Sequence, residues 1–167
     1  GHRVFLLTRE KFRDAAWPRE SLDDVFFMSS LENVQHVING VSYLARARAF
    51  DQIVALDDFE VETAAFLREH LRLPGMNISL ARHFRDKLAM RVKAHDAGVR
   101  VPDFVHVLNE DEVRAYMQSV EPPWVLKPRL DVSAIGIQKL PSAELVWRAI
   151  EALDARFPSR SPNLKMS

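Results

Sequence analysis

A lysine at the end of an apolar, strand-like run is the residue whose position most strongly indicates chemistry. Lys127 follows Trp124, Val125 and Leu126 and precedes Pro128. A lysine in such a run is unfavourable unless its ammonium group reaches water or an anionic partner. A phosphate suits that role, because the ammonium is a compact charge with three donors. The alternative is a lysine on an edge strand beside an ordinary hairpin loop, and the segment alone fits both.

A run of basic residues lies upstream on a predicted helix. Its members are Arg82, Arg85, Lys87, Arg91 and Lys93. Lys87 and Arg91 are four residues apart, so they share one stripe of the helix and their charges repel. The run can be a solvated surface that Asp86 and Asp96 partly neutralise, or it can hold an anion. Charge alone favours the surface.

A turn of small residues after Lys127 shifts this balance towards a phosphate. Ser133 and Ala134 precede Gly136, and such a turn can bring backbone N–H groups towards the same phosphates as the lysine. The basic run, Lys127 and this turn could therefore hold a phosphate together, while an edge-strand lysine beside an ordinary hairpin loop fits the segment in isolation equally well.

An acidic pair offers a second kind of site. Asp57 and Asp58 follow a predicted strand over residues 52–56, at the sheet edge where α/β folds usually place their sites. Asp58 could then be a phosphoacceptor or a magnesium ligand, as in a receiver-like signalling domain. The favoured interpretation is that Asp58 caps a helix beginning at Phe59.

Several other chemistries are excluded or unsupported. No glycine follows the first predicted strand, which argues against an ordinary NAD or FAD site, and there is no P-loop pattern. The chain has no cysteine, so disulfides and thiolate sites are excluded. Its six histidines lack metal-site spacing, and no nucleophile elbow supports a serine triad.

Charge and hydropathy point to a cytoplasmic protein that binds neither nucleic acid nor membrane. The 23 Lys and Arg residues balance 23 Asp and Glu residues, whereas nucleic-acid and membrane-surface proteins normally carry a basic excess. No apolar run approaches the roughly 20 residues of a membrane span, and the first residues lack the layout of a signal peptide.

The predicted elements form an α/β chain. Strand-like runs at residues 4–8, 25–29 and 52–56 alternate with helical spacing, which favours a parallel sheet. Further on, the pattern predicts a helical region from Ser79 to about residue 97 and a strand over residues 104–108. It then predicts a helix opened by Asn109, a hairpin of residues 124–127 with 135–140, and a helix opened by Ser142. We place a domain boundary near Gly75.

The order of several short motifs resembles the ATP-grasp superfamily. In order, they are Leu73-Pro74-Gly75-Met76-Asn77, Arg85-Asp86-Lys87 with Met90, Gly98-Val99-Arg100-Val101-Pro102, Pro123-Trp124-Val125-Leu126-Lys127-Pro128 and a loop ending in Gly136-Ile137. The α/β half before them resembles the small domain that ordinarily precedes the grasp. The resemblance covers about residues 4–153, and the order of the motifs carries it.

The resemblance implies a fold and a division of the chain. Residues 1–75 would form a Rossmann-like parallel-sheet domain, and residues 76–157 the α+β first lobe of an ATP-grasp domain. Residues 158–167 would be a linker or tail. The second lobe, with the adenine-binding hinge, the magnesium ligands and most substrate contacts, would lie beyond Ser167.

The resemblance also implies an activity. Lys87 and Lys127 would contact the phosphates of ATP, and Ser133, Ala134 and Gly136 would belong to a lid over them. The complete protein would be a carboxylate–amine ligase that uses ATP and Mg²⁺ to form an acyl phosphate, and the resemblance is compatible with a homodimer. This chain alone would be inactive. The lid has few glycines, so a degenerate domain kept as a scaffold is an alternative, as is the receiver-like domain.

Overall fold

The computed structural model describes residues 1–130 and 136–156. The chain divides into two compact units, residues Gly1–Arg85 and residues Asp86–Ser167. The sequence placed a boundary near Gly75, whereas the structure keeps the following helix with the first unit. No helix in the described ranges is long and apolar enough to cross a bilayer.

The first unit joins two parallel strands to three helices. Its elements are β1 (Phe5–Arg9), two short 3₁₀ helices (Glu10–Phe12 and Arg19–Ser21), β2 (Asp24–Met28), α1 (Val34–Ala45), α2 (Val61–Leu71) and α3 (Ile78–Arg85). Strands β1 and β2 pair in parallel from Phe5 opposite Asp24 to Arg9 opposite Met28. The predicted parallel pairing of the first two strands is confirmed.

The core of the first unit lies between the helices and the sheet. Val37, Val41 and Leu67 are buried, and Leu7 of β1 and Met28 of β2 pack against them. Burial of these apolar faces is the main favourable contribution to folding here, since each large side chain removed from water contributes about 1.5–3 kcal/mol.

The predicted strand over residues 52–56 is wrong. These residues form no ladder with another described segment. The buried Arg68 of α2 instead donates from its guanidinium to the Ile53 carbonyl at 2.6 Å and to the Met76 carbonyl at 3.0 Å. Ile53 packs on the core while Leu56 is 80% exposed. A side chain therefore satisfies backbone that the apolar pattern assigned to a sheet.

The described residues of the second unit form a hairpin and three helices. Its elements are α4 (Lys87–Asp96), α5 (Glu110–Ser119), β3 (Trp124–Leu126), β4 (Gln138–Leu140) and α6 (Ala143–Arg156). Strands β3 and β4 are antiparallel, with Trp124 opposite Leu140, so the predicted hairpin is confirmed. The buried core consists of Val113, Leu140, Val146 and Ala149.

The helix starts of the second unit agree with the sequence. The Asn109 side chain accepts from the N–H groups of Asp111 and Glu112, at 2.9 and 3.2 Å. The Ser142 hydroxyl accepts from the Leu145 N–H at 3.4 Å. Both side chains thereby satisfy N–H groups that have no partner within the helix.

Two other local predictions are wrong. Residues 104–108 form no strand, and Val105 and Val107 instead pack onto the core from irregular backbone. The helical region after Gly75 is opened by Asn77 rather than Ser79, because the Asn77 side chain accepts from the Leu80 N–H at 2.9 Å. This helical region is interrupted at Asp86, which caps α4.

Candidate anion site

The site begins with the cap of α4. Asp86 is 4% exposed and its carboxylate accepts from the N–H groups of Leu88 and Ala89, at 2.9 and 3.4 Å. This cap makes Lys87 the first residue of the helix. A cation is unfavourable there, since the N-terminus of a helix carries partial positive charge. Helix stability therefore does not explain this lysine.

Arg129 ties the segment after β3 to that cap. Its Nε donates to Asp86 Oδ1 at 2.9 Å and its Nη2 donates to Asp86 Oδ2. These hydrogen bonds lower the pKa of Asp86, although burial acts against them, and they raise the pKa of Arg129. The two contacts form the bidentate pair in which arginine binds carboxylates most strongly.

Lys127 lies beside two further cations. Its pKa is lowered, first by burial and then by the charges of Arg91 and Lys87. Within the described ranges, no ion pair joins Lys127 to a carboxylate. We call Lys87, Arg91 and Lys127 the cation cluster. Lys87 and Arg91 thus disfavour the charged form of Lys127, and a bound anion would favour it again.

The sequence interpretation brought together two of these three residues. It assigned Lys87 and Lys127 to a phosphate, and the structure places both in the cation cluster. It included Arg91 in the basic run, for which a solvated surface was favoured over an anion site. The Arg91 guanidinium donates to the Pro102 carbonyl at 3.1 Å, which fixes it one turn along α4. The four-residue spacing from Lys87 was the signal that could have identified it.

The turn after Lys127 is described only at its end. Ser133 and Ala134 lie outside the described residues. Gly136 has φ 73°, and a Cβ on it would lie 2.9 Å from Cγ of Pro128. Both the backbone angle and this close approach require glycine. Gly136 therefore packs directly beside the residue that follows Lys127, and its role in a lid stays a prediction.

The acidic pair is a turn rather than the end of a strand. Asp57 Oδ1 accepts from the N–H groups of Phe59 and Glu60, at 2.9 and 3.2 Å, and α2 begins at Val61. The predicted cap by Asp58 of a helix at Phe59 is therefore wrong. The strand that would have placed Asp58 at a sheet edge is also absent among the described residues.

One serine–histidine contact does not form a nucleophile. Ser42 Oγ lies 2.8 Å from His70 Nε2 and 2.7 Å from the Ile38 carbonyl oxygen. A carbonyl only accepts, so the hydroxyl proton points to Ile38 and the histidine donates to Ser42. Base activation of a serine needs the opposite arrangement.

A cleft of about 440 Å³ adjoins the cation cluster. Its lining residues are His95, Val101, Pro102, Asp103, Phe104, Tyr116, Ser119 and Val120. The Tyr116 hydroxyl donates to the Asp103 carbonyl at 3.1 Å. Burial, followed by the Asp103 charge, raises the pKa of Tyr116, while Arg91 acts against this rise. Arg91 therefore influences both Tyr116 in the cleft and Lys127 in the cation cluster.

Comparison with known proteins finds sequence similarity to amino acid ligases. No protein-family model matches it. It is 25% identical over 114 residues to an L-arginine-specific L-amino acid ligase of Bacillus subtilis, an alignment that covers 68% of this chain and 28% of the relative. It is 28% identical over 110 residues to an alanine–anticapsin ligase of Bacillus subtilis, covering 66% of this chain and 23% of the relative.

The fold agrees with these sequence matches. The crystal structure of an L-amino acid ligase from Bacillus licheniformis superposes with a TM-score of 0.65 at 16% identity, over 93% of this chain and 42% of that one. The resemblance to the ATP-grasp superfamily is confirmed. This ATP-grasp-like chain spans about a quarter of the length of the curated relatives that it matches.

Proposed function

We propose that this chain is the amino-terminal, phosphate-binding part of an ATP-dependent ligase. The observation that carries the proposal is the cation cluster, in which Lys127 lies beside Lys87 and Arg91 without an ion pair to a carboxylate of the described residues. The phosphates of ATP are a suitable anion, because several negative oxygens can neutralise several cations at once. The family resemblance adds the reason to choose a nucleotide over another anion.

The proposed reaction joins a carboxylate to an amine. ATP supplies a phosphoryl group to the carboxylate, with release of ADP. The amine, or a similar nucleophile, then attacks the acyl phosphate and releases phosphate. The names of the relatives favour amino acids as these substrates.

Within this chain, the residues of the cluster would bind and orient the phosphates. Lys127 and Lys87 would neutralise the negative charge and hold the triphosphate in line for attack, which is how phosphoryl transfer is mainly catalysed. Arg91 would add a third positive charge beside Lys127. Its hydrogen bond to the Pro102 carbonyl would hold its guanidinium in place. Gly136 would let the backbone at the end of the turn pass close to Pro128, the residue after Lys127.

The described residues offer no evident site for Mg²⁺. No group of three or more His, Asp or Glu residues suited to a metal ion occurs in residues 1–130 and 136–156. We propose that the magnesium ligands and most substrate contacts belong to a second lobe, as the short coverage of the relatives suggests.

Calorimetry with ATP and with inorganic tripolyphosphate tests the assignment of the cluster. We expect Lys127→Ala and Lys87→Ala each to weaken binding at least roughly tenfold, because each removes a charge-assisted contact. Lys93→Ala is the matched control, since Lys93 is exposed on the same helix and does not contribute to the lowered pKa of Lys127. Unchanged affinity in Lys127→Ala would overturn the assignment.

The full-length protein tests the activity. We expect release of ADP and phosphate that depends on added amino acids, and we expect Lys127→Ala to reduce it strongly. Binding of ATP without any amino-acid-dependent turnover would contradict the ligase. Absence of Mg-ATP binding would favour a scaffold that has lost its nucleotide site.

A further inference from the structure

We infer that Asp86 and Arg129 form a positioning pair that holds Lys87 and Lys127 together, and thereby sets the affinity of the chain for a triphosphate. This inference rests on the proposed function and deepens it. The Arg129 guanidinium is already paired with the Asp86 carboxylate, so we infer that the pair acts through the lysines rather than on the ligand.

The pair connects the two segments that carry the lysines. Asp86 directly precedes Lys87, and Arg129 lies two residues after Lys127. The Arg129 side chain binds the Asp86 carboxylate through two nitrogens. The Arg129 carbonyl accepts from the Lys87 N–H at 3.0 Å. The start of α4 is therefore joined to the segment after β3 by both side chains and backbone.

The lysines need such a restraint because their charges repel. Lys87 and Arg91 both disfavour the charged form of Lys127, so this repulsion opposes holding Lys127 beside them. The Asp86–Arg129 pair opposes this separation without cancelling the charge of the cluster, since its own two charges neutralise each other. The burial of Asp86 makes its carboxylate dependent on Arg129.

A different role for the pair is purely structural, as a cap for α4. Asp86→Asn separates the two roles. Asparagine is as good an N-cap as aspartate, so it keeps the hydrogen bonds from Leu88 and Ala89. It removes the charge that anchors Arg129. A cap role predicts little effect on anion binding, whereas a positioning role predicts weaker binding.

The direction in which Asp86→Asn changes anion affinity distinguishes a positioning role from a simple charge effect. Asp86→Asn removes a negative charge near the cluster, and by charge alone it would strengthen anion binding and lower the pKa of Lys127 further. If the pair positions the lysines, the same variant separates Lys87 from Lys127. Anion binding then weakens, and the pKa of Lys127 rises towards its ordinary value.

The experiment measures tripolyphosphate affinity by calorimetry and the pKa of Lys127 by NMR titration of its side chain. We expect Asp86→Asn and Arg129→Lys each to weaken binding roughly tenfold and to raise the pKa of Lys127. Arg129→Lys keeps the charge but loses the bidentate contact, so it serves as a second variant if one fails to fold. Arg148→Gln, which breaks an exposed pair with Glu144, is the control.

The outcomes separate this inference from the proposed function. Tighter or unchanged binding in both variants, with an unchanged or lower pKa of Lys127, would overturn the positioning role while the anion site stands. If the wild-type chain binds neither tripolyphosphate nor ATP, the proposed function fails. The NMR titration then still decides whether the pair holds Lys87 beside Lys127.

Discussion

The backbone carbonyl of Arg129 accepts two hydrogen bonds from Lys87, one from its N–H group at 3.0 Å and one from its ammonium at 3.4 Å. The ammonium of Lys87 is thus directed back towards the segment that follows Lys127. Two lysines that lie 40 positions apart in the chain are brought to one place by this contact and by the Asp86–Arg129 pair.

Arg91→Gln should weaken anion binding, although the sequence did not single out Arg91 from the other residues of the basic run. Its charge lowers the pKa of Lys127, so its removal should raise that pKa and reduce the attraction for a triphosphate several-fold. Calorimetry and NMR titration of Lys127 measure the two effects. Lys93→Gln removes an exposed charge from the same helix and should change neither; equal effects in both variants would contradict a specific role for Arg91.

Tripolyphosphate binding should weaken as the pH rises through a value below the ordinary pKa of a lysine. Without a bound anion, the pKa of Lys127 is lowered by burial and by its charged neighbours. Lys127 therefore loses its proton at a lower pH than an ordinary lysine, and a bound anion raises its pKa again. Binding should therefore take up protons at alkaline pH, which calorimetry in buffers of different ionisation enthalpy detects. Lys127→Arg should abolish this uptake, since a guanidinium stays charged. Persistent uptake would assign the proton to another group.

Asp86→Asn should lower stability at neutral pH but not in acid. The folded-state pKa of Asp86 lies below its ordinary value because of the Arg129 hydrogen bonds. Its ionised form therefore stabilises the fold above that ordinary value, and this stabilisation is lost as the pH falls through the folded pKa. We expect Asp86→Asn to lower the free energy of unfolding by about 1 kcal/mol at pH 7. The effect is modest because Arg129 is half exposed.

Urea unfolding as a function of pH checks this expectation. The curves of Asp86→Asn and wild type should converge in acid. Glu110→Gln breaks an exposed ion pair with Arg114 and should leave stability nearly unchanged throughout. A constant difference between Asp86→Asn and wild type at every pH would show that the loss has no ionic origin.

Gly75→Ala should destabilise the first unit more than Gly98→Ala destabilises the second. Gly75 has φ 124°, and a Cβ on it would lie 2.9 Å from Cδ of Arg68. That arginine holds the Ile53 and Met76 carbonyls. We expect a loss of about 2–3 kcal/mol from strain and displacement of Arg68.

Gly98 is the matched control for this substitution. It has φ 74° with no atom within 4 Å of an added Cβ, so alanine there should incur only the backbone penalty of about 1–2 kcal/mol. Urea midpoints compare the two variants. Equal losses would mean that the contact with Arg68 adds nothing to the cost of the backbone angle.

Local patterns in the sequence determined much of the secondary structure. The caps by Asn109 and Ser142 were predictable because a cap involves residues three positions apart. The parallel pairing of β1 and β2 and the β3–β4 hairpin followed from the spacing of apolar runs and turns. Lys127 was identified because a lysine at the end of an apolar strand needs an explanation.

Tertiary contacts decided the remainder. Whether residues 52–56 and 104–108 are strands depends on a partner strand, and in the structure Arg68 and the core of the second unit take that place. The Asp86–Arg129 pair joins residues 43 positions apart, so no local pattern contains it. The sequence alone determined which residues carry charge and where α5 and α6 begin. Only the fold decided which charges meet, because their separation in space is set by packing rather than by their distance along the chain.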